Sequence, residues 1–166
     1  VERYAAKQAI REFTGAGRRF EVIGQADGVT IINDYGHHPT EIAATLEATH
    51  SRYPEHRIWA VWQPHTYSRT QTLLDRFITA FGDADEVLVT DIYAARDYDP
   101  SFSAAQIVAQ MQHPAAHFTP TLAEATDYLL HHLQSGDVLL VLSAGDADKI
   151  SKQVLDTLTH REVNHV

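Results

Sequence analysis

One short segment of the chain places a carboxylate, a phenol and two imidazoles within five residues. The segment reads Asp34-Tyr35-Gly36-His37-His38. It follows the β-branched run that ends at Ile32 and precedes Pro39, which suits the first turn of a helix. Such a turn can present acid–base and hydrogen-bonding groups at the end of a strand. The same composition also fits an ordinary polar loop in which one histidine caps the helix, so both interpretations stay open.

A second segment with chemical potential reads Gln63-Pro64-His65-Thr66-Tyr67-Ser68-Arg69-Thr70. A helix start offers free N–H groups and the positive end of a dipole. The planar guanidinium of Arg69 suits a carboxylate or a phosphate. With His65 nearby, this pattern predicts a binding site for a small anionic substrate. The alternative is that Arg69 is a solvated charge and Ser68 or Thr70 is a simple N-cap.

Metal chemistry is a weaker interpretation of the same groups. The candidate N and O ligands are Asp34, His37, His38 and His65. Two adjacent histidines do not easily face one ion, and no H-E-x-x-H spacing occurs. The chain also has no cysteine, which excludes thiolate sites and disulfides. We therefore predict no metal site, and a small metal-dependent hydrolase remains the alternative.

Apolar periodicity predicts one α/β domain with a mostly parallel sheet. A strand over 18–24, a turn at Asp27-Gly28 and a strand over 29–33 form an antiparallel hairpin near the N-terminus. One helix is predicted before the hairpin, over 3–12. After the hairpin, helices are predicted over 40–53, 70–81 and 103–112, in a segment opened by Thr121-x-x-Glu124 and in a segment capped by Asp146. The later predicted strands cover 57–62, 86–90, 117–118 and the most apolar and therefore central one, 137–142.

The predicted strands end asymmetrically. Ligands of open α/β sheets bind beyond the carboxyl ends of the parallel strands. Those ends carry the segments 34–38, 63–70, 91–97 and 143–146, which are rich in polar side chains, whereas the opposite ends carry ordinary turn residues. The sequence therefore predicts a binding site at the carboxyl edge of the sheet.

Composition narrows the class of protein. The chain has 166 residues, of which 44% are hydrophobic and 21% charged, as in ordinary globular domains. Its net charge of −9 argues against a general nucleic-acid surface, and no apolar run approaches the ~20 residues of a membrane span. No signal-peptide pattern opens the chain, so a cytoplasmic protein is expected. The first residue is Val1 rather than Met, which suggests a piece of a longer protein.

Three motifs together resemble the C-terminal domain of Mur ligases. They are Gly17-Arg18-Arg19-Phe20-Glu21, the segment Asn33 to Glu41, and the segment Gln63 to Thr70. The resemblance implies a Rossmann-like fold with helices on both faces of the sheet. It also implies that 1–14 is the tail of a preceding ATP-binding domain or a linker helix, and that 15–166 is the amino-acid-binding domain. No Gly-Lys-Ser/Thr P-loop occurs, so the isolated domain is predicted to be inactive.

The resemblance also implies a reaction. The full-length enzyme would use ATP and Mg²⁺, bound mainly by a central domain, to join L-alanine to UDP-N-acetylmuramate through an acyl phosphate in peptidoglycan precursor synthesis. The family member that recycles murein tripeptide is the alternative, although it typically has Phe where Tyr35 stands. A non-catalytic nucleotide- or partner-binding module is a third interpretation.

Carried over motif by motif, the resemblance implies roles for six residues. Arg19 would reach the ATP phosphates and Asp34 would lie on the nucleotide side. The L-alanine pocket would consist of Tyr35, His37, His65 and Arg69, with Arg69 on the carboxylate. Arg19, Asp34 and His37 would be the catalytic residues. Two positions depart from the family pattern, since members usually have a basic residue where Thr66 stands and commonly Gly where Ser143 stands.

Overall fold

The computed structural model describes residues 17–164. The predicted helix over 3–12 and the boundary at residue 14 lie outside these residues. Six strands form one sheet: β1 Glu21–Ala26, β2 Val29–Asp34, β3 Ile58–Gln63, β4 Glu86–Val89, β5 Ala116–Phe118 and β6 Val138–Ser143. The helices are α1 Pro39–Arg52, α2 Tyr67–Thr72, α3 Leu74–Phe77, α4 Ala104–Val108, α5 Leu122–His132 and α6 Asp148–Asn164.

The strand order is β1-β2-β6-β3-β4-β5, and only the β1–β2 pair is antiparallel. The predicted hairpin is therefore confirmed. Its turn residues Asp27 and Gly28 have φ values of 50° and 74°, the double positive φ that a two-residue hairpin requires. A Cβ on Gly28 would also lie 2.0 Å from the Ser135 Oγ atom, so glycine is required for space as well.

Strand β6 lies in the middle of the sheet, as predicted. It pairs with β2 on one side and β3 on the other, and all six of its residues are buried. A strand covered on both faces needs a continuous apolar run, and Val138 to Leu142 provides it. Helices α1 to α4 pack on one face around Trp62 and Phe77, whose rings stack 4.6 Å apart. Helices α5 and α6 pack on the other face.

The predicted helix over 70–81 is wrong as a single element. The chain forms α2 and α3, which meet at Leu73 with φ −108° and ψ 15°. The apolar stripe still packs on the core, because Phe77 and Phe81 are buried. Threonines lower helix propensity by offering alternative hydrogen bonds, and the Thr70 hydroxyl donates to the Thr66 carbonyl. The helix predicted over 103–112 is also shorter and ends at Val108.

The helix caps give a mixed result. The capping box at Thr121 is confirmed, since the Glu124 N–H donates to Thr121 Oγ1 at 3.1 Å and the Thr121 N–H donates to Glu124 Oε2 at 3.0 Å. The predicted cap at Asp146 is wrong, because α6 begins at Asp148. The Asp146 carboxylate instead accepts from Gln63 Nε2 and Lys149 Nζ, both at 2.9 Å.

Between residues 17 and 164, no helix combines the length and the apolar character that crossing a membrane requires.

Candidate functional site

Four side-chain rings form a row along the carboxyl edge of the sheet. Neighbouring centroids are 5.4 Å apart for Tyr35 and His37, 6.2 Å for His37 and His65, and 5.5 Å for His65 and Tyr93. Tyr35 and His37 follow β2, His65 follows β3 and Tyr93 follows β4. The structure thus brings together three of the predicted site residues and adds Tyr93, which lies in the predicted edge segment 91–97 but was given no role of its own. We call these four residues the ring row.

The two adjacent histidines, His37 and His38, make different hydrogen bonds. His37 Nδ1 lies 3.0 Å from the Tyr35 carbonyl oxygen. A carbonyl can only accept, so Nδ1 carries the proton and the Nε2 of neutral His37 keeps a lone pair. His38 instead caps α1, because its Nδ1 accepts from the Thr40 N–H at 3.3 Å. The expectation that one of the two histidines caps the turn is confirmed.

An acidic residue of α1 lies beside His37. Glu41 Oε2 is 3.8 Å from His37 Nδ1 and accepts the N–H groups of His37 and His38 at 3.1 and 3.2 Å. Partial burial raises the pKa of Glu41, but these N–H groups and the nearby cationic groups outweigh it and hold that pKa below its usual value. Glu41 is therefore ionised at neutral pH and can stabilise positive charge on His37.

His65 and Arg69 carry polar atoms without partners. Among the described residues, His65 Nδ1 and Arg69 Nη1 are buried and make no hydrogen bond. Leaving such a group unpaired costs about 1–3 kcal/mol, so these atoms mark where a ligand can supply partners. Burial lowers the pKa of His65, and the charges of Arg69 and His37 lower it further. His65 is therefore neutral at pH 7 and leaves Arg69 as the cation of this pair.

Arg69 also borders an open surface depression. Its volume is about 350 Å³, and its other lining residues are Thr66, Ser68, Thr72 and Leu73. Thr66 has a φ of 65°, which is uncommon for a β-branched residue. Its N–H donates to the Tyr93 carbonyl at 3.0 Å and its carbonyl accepts from Thr70, so neighbouring segments hold this conformation.

The predicted anion site at the start of α2 is only partly available. The N–H and the hydroxyl of Ser68 both donate to Asp97 Oδ2, at 2.8 and 2.5 Å. These hydrogen bonds lower the pKa of Asp97, so a carboxylate of the chain itself already occupies this position. Among the described residues, Arg69 keeps a guanidinium nitrogen without a partner that an external anion can use, whereas the backbone N–H of Ser68 is already paired.

The two adjacent arginines both lie close to one aromatic ring, but they differ in their hydrogen bonding. Their guanidinium carbons are 5.5 and 5.6 Å from the centre of the Tyr35 ring. Arg18 Nη2 donates to the carbonyls of Ser143 at 2.7 Å and Gly145 at 3.1 Å, whereas Arg19 is exposed. Arg18 therefore anchors its loop to the end of β6, and Arg19 is free to contact a ligand.

Asp34 is bound to the backbone on both of its oxygens. It is 7% exposed, its Oδ2 accepts the Phe20 N–H at 2.8 Å, and its Oδ1 accepts the Gly36 N–H at 2.6 Å. These contacts hold the arginine loop against the end of β2. Within residues 17–164 no group of three or more His, Asp or Glu side chains is suited to hold a metal ion.

Gln63, the first residue of the predicted segment 63–70, has a structural role that the sequence did not reveal. Its Oε1 accepts from Ser143 Oγ, the Asp146 N–H and the Ala147 N–H at 2.8 to 3.2 Å. The Gln63 Nε2 donates to Asp146, and the resulting hydrogen bonds lower the pKa of that carboxyl. Ser143, where the family commonly has Gly, thus takes part in the network that fixes the loop after β6. A lone glutamine at a strand end gives no sequence signal for this.

Comparison with known proteins agrees with this geometry. The family described as Mur ligase, glutamate ligase domain, matches residues 18–145, which is more than half of the chain. The UDP-N-acetylmuramate–L-alanine ligase of Acaryochloris marina is 44% identical, and the match covers 96% of this chain and 34% of that protein. The UDP-N-acetylmuramate–L-alanine ligase of Gloeobacter violaceus is 46% identical, and the match covers 88% of this chain and 32% of that protein.

A solved structure extends the match to the fold. The UDP-N-acetylmuramate–alanine ligase of Thermotoga maritima superposes with a TM-score of 0.73 at 25% identity, over 93% of this chain and 33% of that one. The chain therefore spans about a third of the length of the relatives it matches. By sequence and by fold, the chain belongs to the Mur ligase family.

Proposed function

We propose that residues 15–166 form the C-terminal, amino-acid-binding domain of an ATP-dependent ligase that joins L-alanine to UDP-N-acetylmuramate, and that residues 1–14 are the end of the preceding domain or a linker. The observation that carries the proposal is the unpaired Nη1 of Arg69 beside the neutral imidazole of His65. The relatives named for this reaction, at 40–46% identity, support the choice of substrates.

In this proposal the amino acid binds through its carboxylate. Arg69 offers a guanidinium nitrogen that no described residue satisfies, and a charge-assisted hydrogen bond is the strongest partner for it. A neutral His65 adds no second positive charge near the incoming ammonium group. The carboxylate is therefore held at α2, and the amino group is directed along the ring row.

His37 serves as the proton acceptor of the proposed site. An amine attacks a carbonyl only when it has lost a proton, and the lone pair of His37 Nε2 can take that proton. The proton acquired at Nε2 makes an imidazolium, which Glu41 stabilises from 3.8 Å. The Tyr35 carbonyl keeps the tautomer fixed throughout, because it accepts the hydrogen bond from Nδ1.

The phosphate side of the site is assigned to Arg19. Its exposed guanidinium fits a phosphate, and Arg18 beside it has a buried, unpartnered Nε. ATP, when bound, supplies the phosphoryl group that activates the carboxylate of the sugar nucleotide. Asp34 does not fit Mg²⁺, since both of its oxygens already accept backbone N–H groups. We assign the metal and most nucleotide contacts to the other domains, and a cytoplasmic location stays a prediction.

The test is phosphate release by the protein expressed with its full upstream reading frame. ATP, Mg²⁺ and UDP-N-acetylmuramate are supplied, and L-alanine or murein tripeptide is then added. Release that depends on L-alanine and falls strongly in Arg69→Ala supports the proposal. Arg161→Ala is the matched control, because Arg161 is exposed and contacts the Leu130 carbonyl on α5.

Other outcomes select other functions. Release that occurs with murein tripeptide and not with L-alanine assigns the chain to the recycling ligase. No release with any acceptor favours a non-catalytic binding module, and the isolated 15–166 segment is expected to show no release under any of these conditions.

A further inference from the structure

We infer that Tyr93, to which none of the motifs assigns a role, is a positioning residue of the acceptor site: its ring holds the His65 imidazole in the ring row and so sets how tightly the amino acid binds. This inference rests on the proposed function for its substrate. The contact on which it depends, between Tyr93 and His65, is a property of the structure itself.

The backbone of Tyr93 forms hydrogen bonds with the residues immediately before and after His65. The Tyr93 N–H donates to the Pro64 carbonyl at 2.8 Å, and the Thr66 N–H donates to the Tyr93 carbonyl at 3.0 Å. Together these bonds form an isolated parallel bridge between His65 and Tyr93, beyond the ends of β3 and β4. The two Cα positions are therefore fixed relative to each other, although the residues are far apart in sequence.

The ring of Tyr93 then fixes the imidazole plane. The two rings are nearly parallel, with an interplanar angle of 18° and centroids 5.5 Å apart. Of the rings in the row, only this pair is stacked, since the Tyr35–His37 contact is edge-on and the His37–His65 contact is tilted. A stack restricts rotation about the last side-chain torsion of His65, which is otherwise broad.

A glycine after β6 makes room for the Tyr93 ring. A Cβ on Gly145 would lie 2.4 Å from Gln63 Oε1, 2.8 Å from Tyr93 Cγ and 2.9 Å from Tyr93 Cδ2, so no side chain fits beside the ring and the Gln63 amide. Arg18 binds the Gly145 carbonyl from another direction. Tyr93 thereby connects the loop after β3 to the loop after β6. It is 39% exposed and thus lies at the surface of the site and not in the core.

Tyr93 also shields one face of His65 from water. Among the described residues, the groups whose charge acts on His65 are Arg69 on α2 and His37 in the loop after β2, and the phenol of Tyr93 itself faces the imidazole. Arg69 and His37 both oppose protonation of His65 when they are charged, and burial does the same. Removing the ring hydrates the imidazole, so the pKa of His65 rises and more of it is protonated near pH 6. A second cation beside Arg69 then repels the ammonium group of the acceptor.

The experiment compares Tyr93→Ala, Tyr93→Phe and Tyr98→Ala in the full-length protein. Tyr98 is a matched control on the same loop, 71% exposed and packed on Tyr67. We expect Tyr93→Ala to raise KM for L-alanine roughly three- to tenfold, the range of one aromatic stack, with KM for ATP and kcat within about twofold. Tyr93→Phe keeps the stack and should match the unmodified protein, as should Tyr98→Ala.

A second readout does not require activity. In protein labelled at histidine, the His65 signal is assigned with His65→Gln and titrated by NMR. The pKa of His65 should rise in Tyr93→Ala and stay unchanged in Tyr93→Phe. Tyr93→Leu keeps apolar bulk without a flat ring, and it replaces the alanine variant if that variant does not fold; we expect it to raise KM as well.

Two results would overturn the inference. One is a Tyr93→Ala protein, or its leucine replacement, with unchanged KM for L-alanine and unchanged His65 titration. The other is a Tyr93→Phe protein as impaired as Tyr93→Ala, which would show that the phenol and not the stack matters. If the unmodified protein shows no L-alanine-dependent release of phosphate, the proposed function fails. The His65 titration then still tests whether the Tyr93 ring controls the environment of the His65 imidazole.

Discussion

His37 donates through Nδ1 to the carbonyl oxygen of Tyr35 over 3.0 Å, and this single contact decides which nitrogen of the imidazole is available to a ligand. The two residues are close in sequence, but the turn between β2 and α1 has to fold for the carbonyl to face the ring. With Nδ1 engaged, Nε2 is the nitrogen that can accept a proton.

We therefore predict different effects for the two adjacent histidines: a loss of activity for one and a loss of stability for the other. His37→Gln removes the proton acceptor and should lower kcat by roughly 10²- to 10⁴-fold, the usual contribution of a general base. His38→Ala should leave kcat within about twofold and lower the free energy of unfolding by about 0.5–2 kcal/mol through loss of the α1 cap. Steady-state kinetics and urea denaturation measure both. Equal losses of kcat in the two variants would contradict the assignment.

Arg69 should act on binding of the amino acid. Arg69→Ala removes a charge-assisted hydrogen bond and should raise KM for L-alanine roughly 10- to 100-fold. Arg69→Lys should restore only part of this loss, because an ammonium lacks the planar fork. KM for ATP serves as the internal control and should change little. A large rise in the ATP value, with that of L-alanine unchanged, would place Arg69 on the nucleotide side instead.

His65 should make stability depend on pH. Burial first, and then Arg69 and His37, lower the pKa of His65 below its value in the unfolded chain, which is about 6.5. Between the two pKa values the unfolded state binds more protons. The stability that neutral His65 contributes is therefore complete above pH ~6.5 and is lost as the pH falls from there through the lower pKa of the folded state. Urea denaturation across pH 5 to 8, chosen as roughly the histidine range, should show this slope. His65→Gln should flatten it, and an unaltered slope in that variant would refute the assignment.

A variant of Asp34 tests whether this residue stabilises the fold or contacts the nucleotide. Loss of its two bonds to backbone N–H groups should lower the free energy of unfolding of Asp34→Ala by about 2–5 kcal/mol. The control is Asp83→Ala, at an exposed turn, which should lower the free energy of unfolding by less than about 0.5 kcal/mol. Asp34→Ala with full stability and a raised KM for ATP would instead support the nucleotide contact that the motif resemblance implies.

Much of the fold could be predicted from the chain alone because the deciding interactions are local or periodic. The hairpin at Asp27-Gly28 needs two positive φ values, and these residue types supply them. The burial of β6 requires an unbroken apolar run, which is visible in the sequence. The position of the candidate site follows equally simply, because polar residues after several parallel strands must meet at one edge of the sheet.

The tertiary structure decided what depends on contacts between distant residues. The sequence contains two adjacent arginines, but only the carbonyls of Ser143 and Gly145 make Arg18 the anchor and leave Arg19 free. The sequence suggests a free helix start at Ser68, but Asp97, 29 residues away, fills it. It gives no sign that the Tyr93 ring meets His65. Residue types and spacing thus determined the family, the sheet and the edge that carries the site. Which groups remain unsatisfied there was decided by packing, because hydrogen bonds between segments far apart in sequence have no local pattern to reveal them.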